Sequence, residues 1–192
     1  AALCFTGHKR LFGPQATGGI VWKPEFADAC SPFIVGGTGS LSHEETQPEV
    51  MPDKFEAGTM NLPGFAGLDA ALDWIDRTGI DAIREREEKL GARLEEGLLS
   101  IKGLRLLGST HGEAPRLPVY AFNVDGKDNG EFANDLSMTY GIEGRPGLHC
   151  SPLAHRTLGT FPEGALRLSP GYYTTEDEID YTIESIRALA SK

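Results

Sequence analysis

The chain has 192 residues, of which 40% are hydrophobic and 24% charged, with 24 glycines and 12 prolines. That length suits one large domain or two small ones, and the composition excludes a disordered or collagen-like chain. Eighteen basic residues stand against 28 acidic ones, a net charge of −10, and no Lys or Arg run supplies the basic face that nucleic acid or an anionic membrane requires.

Ala2-Leu3-Cys4-Phe5 reads as the end of a buried strand, and Thr6-Gly7-His8-Lys9 as the turn that follows it. The chain opens inside this apolar phrase without a Met, as a cut edge would. Leu11 to Gly19 is Gly-rich, and Gly19-Ile20-Val21-Trp22 reads as a second strand. Residues 27–53, centred on Gly36-Gly37-Thr38-Gly39-Ser40, hold many turn formers and little periodicity. That pattern predicts a long loop, and long loops inside compact domains are often functional.

From about residue 64 to 102 the pattern turns helical. Leu68, Ala71, Leu72 and Ile75 recur at helical spacing, and Ile80, Ile83, Leu90, Leu94 and Leu98 continue the stripe. Thr78 or Gly79 breaks it. The run from Arg84 to Lys89 is a solvated helix face with near-neighbour ion pairs. After Gly103, strands are predicted at Leu104–Leu107, Val119–Val124 and Ile142–Arg145, and helices at Glu131–Tyr140 and Glu176–Ala190. Thr175 and Glu178 form a capping box for the last helix. The pattern is α/β passing into α+β, with a boundary near residues 77–82. No apolar run approaches the roughly 18 to 20 residues of a membrane helix.

Five groups of residues could carry chemistry. Thr6-Gly7-His8-Lys9 offers backbone and side-chain donors for a phosphate beside an amine that could bond a carbonyl; a surface Lys after a turn is the simpler alternative. Arg145-Pro146-Gly147-Leu148-His149-Cys150 could expose a reactive thiol, or bury an inert one. Arg167, flanked by apolar strand residues, suits a carboxylate or a structural salt bridge. Thr38 and Thr59, each in a Gly-containing loop, could bond a phosphate or cap a turn. His149, Cys150 and His155 offer three local metal-ligand types, but no paired-Cys motif accompanies them, so no metal is expected. Cys4, Cys30 and Cys150 are too few and too scattered for a disulfide framework and fit a reducing, cytoplasmic setting.

Three ordered phrases together resemble one family, the class V aminotransferase-like enzymes, and within it the cysteine desulfurases and selenocysteine lyases. The phrases are Phe5 to Pro14, Phe55-Glu56-Ala57-Gly58-Thr59-Met60-Asn61, and Arg145 to Cys150 followed by Arg167-Leu168-Ser169 and Tyr173-Thr174-Thr175. The resemblance implies the C-terminal part of a fold-type I pyridoxal-phosphate transferase. Residues 1–78 would be the remainder of the large cofactor domain, and residues 79–192 the small α+β domain, linked by a long helix.

By the same resemblance, Lys9 would hold pyridoxal phosphate covalently. Thr6, His8, Thr59 and Thr38 would contact its phosphate, the last two across a homodimer. Arg167 and Arg145 would lie at the substrate, and Cys150 would take the sulfur of L-cysteine and yield it to an acceptor protein. The alternatives are another class V enzyme (a selenocysteine lyase, aminotransferase or epimerase) and a catalytically incomplete fragment that acts only as a folded interaction domain. Whether these residues alone make an enzyme is left open by the sequence.

Overall fold

Alternation of apolar and small residues at the start of the chain produces an antiparallel ribbon. In the computed structural model, which describes residues 1–109 and 116–192, β1 (Ala2–Thr6) pairs with β2 (Gly18–Trp22), Ala2 opposite Trp22 and Thr6 opposite Gly18. The expected burial of residues 2–5 is not observed: Leu3 is 65% exposed and only Phe5 is half-buried. A ribbon of two strands offers both faces to solvent unless another layer covers them.

The chain divides into two compact units, Ala1–Ile80 and Asp81–Lys192. The first contains the ribbon and two helices, α1 (Pro24–Ala29) and α2 (Leu62–Thr78). Asn61 starts α2 by accepting the Gly64 N–H at 3.1 Å, two residues before Pro63. Gly79, at a φ of 86° open to glycine, ends it. The break expected at Thr78 or Gly79 therefore falls at Gly79.

The second unit has helices on a three-stranded antiparallel sheet of order β3-β4-β5. These are β3 (Leu104–Leu107), β4 (Tyr120–Val124) and β5 (Leu166–Leu168), with Leu104 opposite Val124 and Tyr120 opposite Leu168. Tyr120, Phe122 and Val124 alternate inward from the central strand. They meet Leu90, Leu94 and Leu98 of α3 (Ile80–Leu99), Leu136 of α4 (Asn129–Tyr140) and Ile186 of α6 (Glu176–Ala190) in one core.

Ile142–Arg145 does not form the strand expected of it. Gly141 takes a left-handed turn, and Ile142 donates back to the Leu136 carbonyl at 3.1 Å, so the first residue of the phrase completes the end of α4. Arg145 alone reaches the sheet edge, in a single bridge to Arg167. Two short helices, α1 and α5 (Pro152–Thr157), lie outside the elements that periodicity predicts; each carries Pro in its first turn, the one local signal available. The Thr175 capping box is present, with the Thr175 hydroxyl accepting the Glu178 N–H at 3.2 Å. Thr175→Ala should cost about 1 kcal/mol of stability, read as a shifted midpoint of urea unfolding.

Candidate active site

The Lys9 turn is built by backbone before side chains. Gly7 donates to the Thr17 carbonyl at 2.9 Å, Gly13 to the Gly7 carbonyl at 2.9 Å, and Phe12 to the Lys9 carbonyl at 3.1 Å. A Cβ on Gly7 would stand 2.3 Å from Thr17 Oγ1, so only glycine fits there. The Thr17 hydroxyl donates to the Pro14 carbonyl at 2.6 Å. The loop docks on α2 through Phe12, whose ring meets Trp74 edge-on at 5.2 Å, and through Asn61, whose amide donates to the Ala16 carbonyl at 3.4 Å. Thr6, His8 and Lys9 are left exposed on this fixed turn. An exposed primary amine beside a hydroxyl and an imidazole is the donor set that a phosphate-bearing aldehyde needs, so these residues fit pyridoxal phosphate.

Thr38 and Thr59 sit on neighbouring segments, each directly after one partner of the Gly58 N–H to Gly37 carbonyl bond of 2.8 Å. Thr38 Oγ1 is 3.0 Å from Ser40 Oγ and borders a cleft of about 400 Å³. Thr59 is exposed. Sequence reasoning missed Lys54 in the same unit. It is only 4% exposed, pairs with Glu49 at 2.8 Å and donates to the Asp28 carbonyl at 3.3 Å, tying the 49–55 segment to α1. No spacing rule marks such a lysine.

In the second unit the structure brings Arg145, Cys150 and Arg167 together. Arg145 donates to the Arg167 carbonyl at 3.0 Å and Arg167 to the Arg145 carbonyl at 2.9 Å. Gly147 and Ala165 exchange a second pair at 3.0 and 3.1 Å. The segments approach so closely that a Cβ on Gly164 would stand 2.3 Å from the Gly147 backbone. Beyond this clamp His149 and Cys150 are consecutive left-handed residues, at φ of 52° and 59°. Each costs on the order of 1 kcal/mol, and such strain persists only where surrounding contacts over-determine it.

Those contacts are visible. His149 Nε2 lies 2.7 Å from the Arg145 carbonyl, so Nε2 carries the proton and Nδ1 the lone pair. Burial pushes the His149 pKa down, against the pull of that hydrogen bond, and the charges of Arg167, His155 and Arg145 add to the lowering. The imidazole is therefore neutral near pH 7. His155, only 4% exposed, lies with Nδ1 2.7 Å from Thr160 Oγ1 and its ring 5.4 Å from that of His149. An Nη2 of Arg145 contacts Cys150 Sγ at 3.7 Å. Arg167 Nε is buried without a partner, a cationic donor directed at no protein acceptor. The sequence offers His155 only as a metal-ligand type; its bond to Thr160 makes it part of the scaffold under the Cys150 loop. Among the described residues, no three His, Cys, Asp or Glu side chains gather as a metal site. All three cysteines are free thiols, and Cys150 is exposed.

Residues 2–182 match the family model for aminotransferase class-V. A probable cysteine desulfurase of Xylella fastidiosa is 38% identical over 187 residues, covering 94% of this chain and 42% of that protein. A probable cysteine desulfurase of Methanothermobacter thermautotrophicus is 33% identical, covering 97% of this chain and 46% of that protein. The apo structure of a cysteine desulfurase from Thermococcus onnurineus superimposes with a TM-score of 0.86 at 31% identity, over 99% of this chain and 47% of that one. The chain thus spans less than half the length of these relatives.

Proposed function

Because this chain belongs to the aminotransferase class-V family, we propose that it is the part of a pyridoxal-phosphate-dependent cysteine desulfurase that carries the cofactor lysine and the sulfur-accepting cysteine. Its fold is that of part of a fold-type I pyridoxal-phosphate transferase. The observation that carries the reading is an exposed Cys150 thiol with the Arg145 guanidinium on its sulfur, beside an Arg167 whose buried Nε has no partner.

In this reading Lys9 binds the cofactor, and Thr6, His8, Thr38 and Thr59 hold its phosphate, the threonine pair across a homodimer. When bound, pyridoxal phosphate supplies an electron sink beside the substrate Cα. The Lys9 amine would take the proton from the substrate Cα. Arg167 presents its fork to the substrate carboxylate, and Arg145 lies on the same side. The Cys150 sulfur would attack the sulfur of L-cysteine: an S–S bond forms as the substrate C–S bond breaks, the electron pair of that bond stays with the substrate Cβ, and protonation of the carbon gives alanine while the persulfide remains on Cys150. An acceptor protein then takes that sulfur. The free, scattered cysteines fit a reducing cytoplasm, and no helix among the described residues is long and apolar enough to cross a membrane.

The test is alanine release from L-cysteine by the protein that contains this chain, supplied with pyridoxal phosphate; no release of alanine contradicts the reading. Arg167→Lys should raise KM for L-cysteine about 10- to 100-fold while changing kcat less, because a point charge replaces a planar fork. An unchanged KM would remove Arg167 from the substrate.

A further inference from the structure

Between Gly36 and Gly58 the chain forms neither helix nor strand, so its shape depends on a few bonds made across it. One end is anchored. Phe55 stacks on Trp22 of β2 with ring centroids 4.6 Å apart, and the buried Lys54 donates to the Asp28 carbonyl of α1. Gln47, half-buried, ties the other end to this anchor. Its Oε1 accepts the Gly36 N–H at 3.1 Å, and its Nε2 donates to the Asp53 carbonyl at 2.7 Å. An amide carries an acceptor and donors on one planar group, so a single side chain can span an N–H and a carbonyl. Its orientation follows from those partners, since exchanging O and N would set like against like at both ends. The Gly58 N–H to Gly37 carbonyl bond of 2.8 Å closes the loop.

We propose that Gln47 is the positioning residue for the phosphate-binding threonines, a two-ended strut that holds Gly36-Gly37-Thr38 against the segment leading to Thr59. The inference rests on the reading of Thr38 and Thr59 as donors to the cofactor phosphate. Each threonine directly follows a glycine fixed by these bonds, Gly37 or Gly58. The Thr38 oxygen accepts the Ser40 N–H at 3.5 Å, so its own proton can go to an outside acceptor. The cleft of about 400 Å³ beside Thr38 has Glu44 and Glu45 on its wall and, among the described residues, neither Lys nor Arg. No cation there draws a phosphate in, so hydroxyl and backbone donors must be held in place to bind one. Without Gln47 the Gly36 N–H and the Asp53 carbonyl would turn to water, and the Gly58 bond alone would join the two segments.

The test is cofactor binding, read without turnover. The protein that contains this chain is titrated with pyridoxal phosphate and, in parallel, with pyridoxal, the same aldehyde without the phosphate. Visible absorbance of the Lys9 adduct gives both dissociation constants. Gln47→Leu should raise the constant for pyridoxal phosphate about tenfold and leave that for pyridoxal within about twofold, the scale of one or two misplaced hydrogen bonds. In a Thr38→Ala, Thr59→Ala background the same substitution should have little further effect, because the groups it positions are gone. Should Gln47→Leu fail to fold, Gln47→Asn decides the same question. Its amide is one methylene too short to span both partners, and it must weaken pyridoxal phosphate about threefold and pyridoxal not at all. An unchanged constant for pyridoxal phosphate, an equal loss for both aldehydes, or a loss that persists in full without the threonines overturns the proposal. Thr38→Ala and Thr59→Ala alone test the reading beneath it. If they leave pyridoxal phosphate binding unchanged, the phosphate role of the threonines fails and the proposal with it; if they weaken binding and Gln47→Leu does not, only the strut fails.

Discussion

Cys150→Ala is expected to abolish persulfide formation and to lower alanine production from L-cysteine on the order of 10³-fold or more, the scale seen when a nucleophile is removed. The argument is chemical. Sulfur leaves the substrate only if another atom takes it, and Cys150 is the thiol placed on the edge segment bridged to the Arg167 strand. The substitution is mild for the fold. Cys150 is exposed, alanine keeps the Cβ, and surface changes of this kind usually stay within about 0.5 kcal/mol. Binding of pyridoxal phosphate should survive, because the turn that carries Lys9 is held by its own backbone bonds from Gly7, Phe12 and Gly13. Peptide mass spectrometry after alkylation reads the persulfide, and borohydride reduction followed by peptide mapping reads the cofactor on Lys9. A persulfide that persists elsewhere in the variant would move the acceptor role to another cysteine.

Lys9→Ala should remove the borohydride-trapped adduct and bring activity down by a comparable factor, while alkylation of Cys150 keeps its rate. Lys9 is exposed on a turn held by the Gly7, Phe12 and Gly13 backbone bonds, so its side chain has no part in holding the loop. The prediction therefore separates chemistry from folding: thermal unfolding of the cofactor-free protein should be unchanged, and the covalent cofactor should be absent when pyridoxal phosphate is supplied. Lys9→Arg keeps the charge without an amine able to bond a carbonyl, and should fail in the same way. An adduct that forms on another lysine in either variant would displace Lys9 from the cofactor.

Much of the fold is legible in the residues, for reasons that differ from place to place. The last helix is marked by Thr175 and Glu178 and a clean apolar period, and it runs over Glu176–Ala190 as expected. The break at Gly79 follows from a residue that tolerates positive φ. Ile142–Arg145 misleads because apolar content in four residues does not distinguish a strand from the end of a helix, and Gly141 decides for the helix. The strand at residues 2–5 is readable but its exposure is not, since burial depends on a covering layer and no local pattern encodes one.

At the candidate site the residue types are readable and their conformations are not. The hexapeptide from Arg145 to Cys150 displays a His and a Cys, yet the two left-handed backbones arise from tertiary contacts with Gly164, Ala165 and Arg167. Those partners lie 14 or more residues further along the chain, beyond the reach of any spacing rule. The same holds for Lys54, whose burial is made by Glu49 and the Asp28 carbonyl.

The most direct test of the central claim is to incubate the protein containing this chain with pyridoxal phosphate and L-cysteine, and to map added sulfur by peptide mass spectrometry. The account predicts one extra sulfur atom on the peptide bearing Cys150, dependent on both additions and accompanied by an equivalent of alanine under single-turnover conditions. Alanine formed with no sulfur on Cys150, or sulfur found only on Cys4 or Cys30, would contradict it.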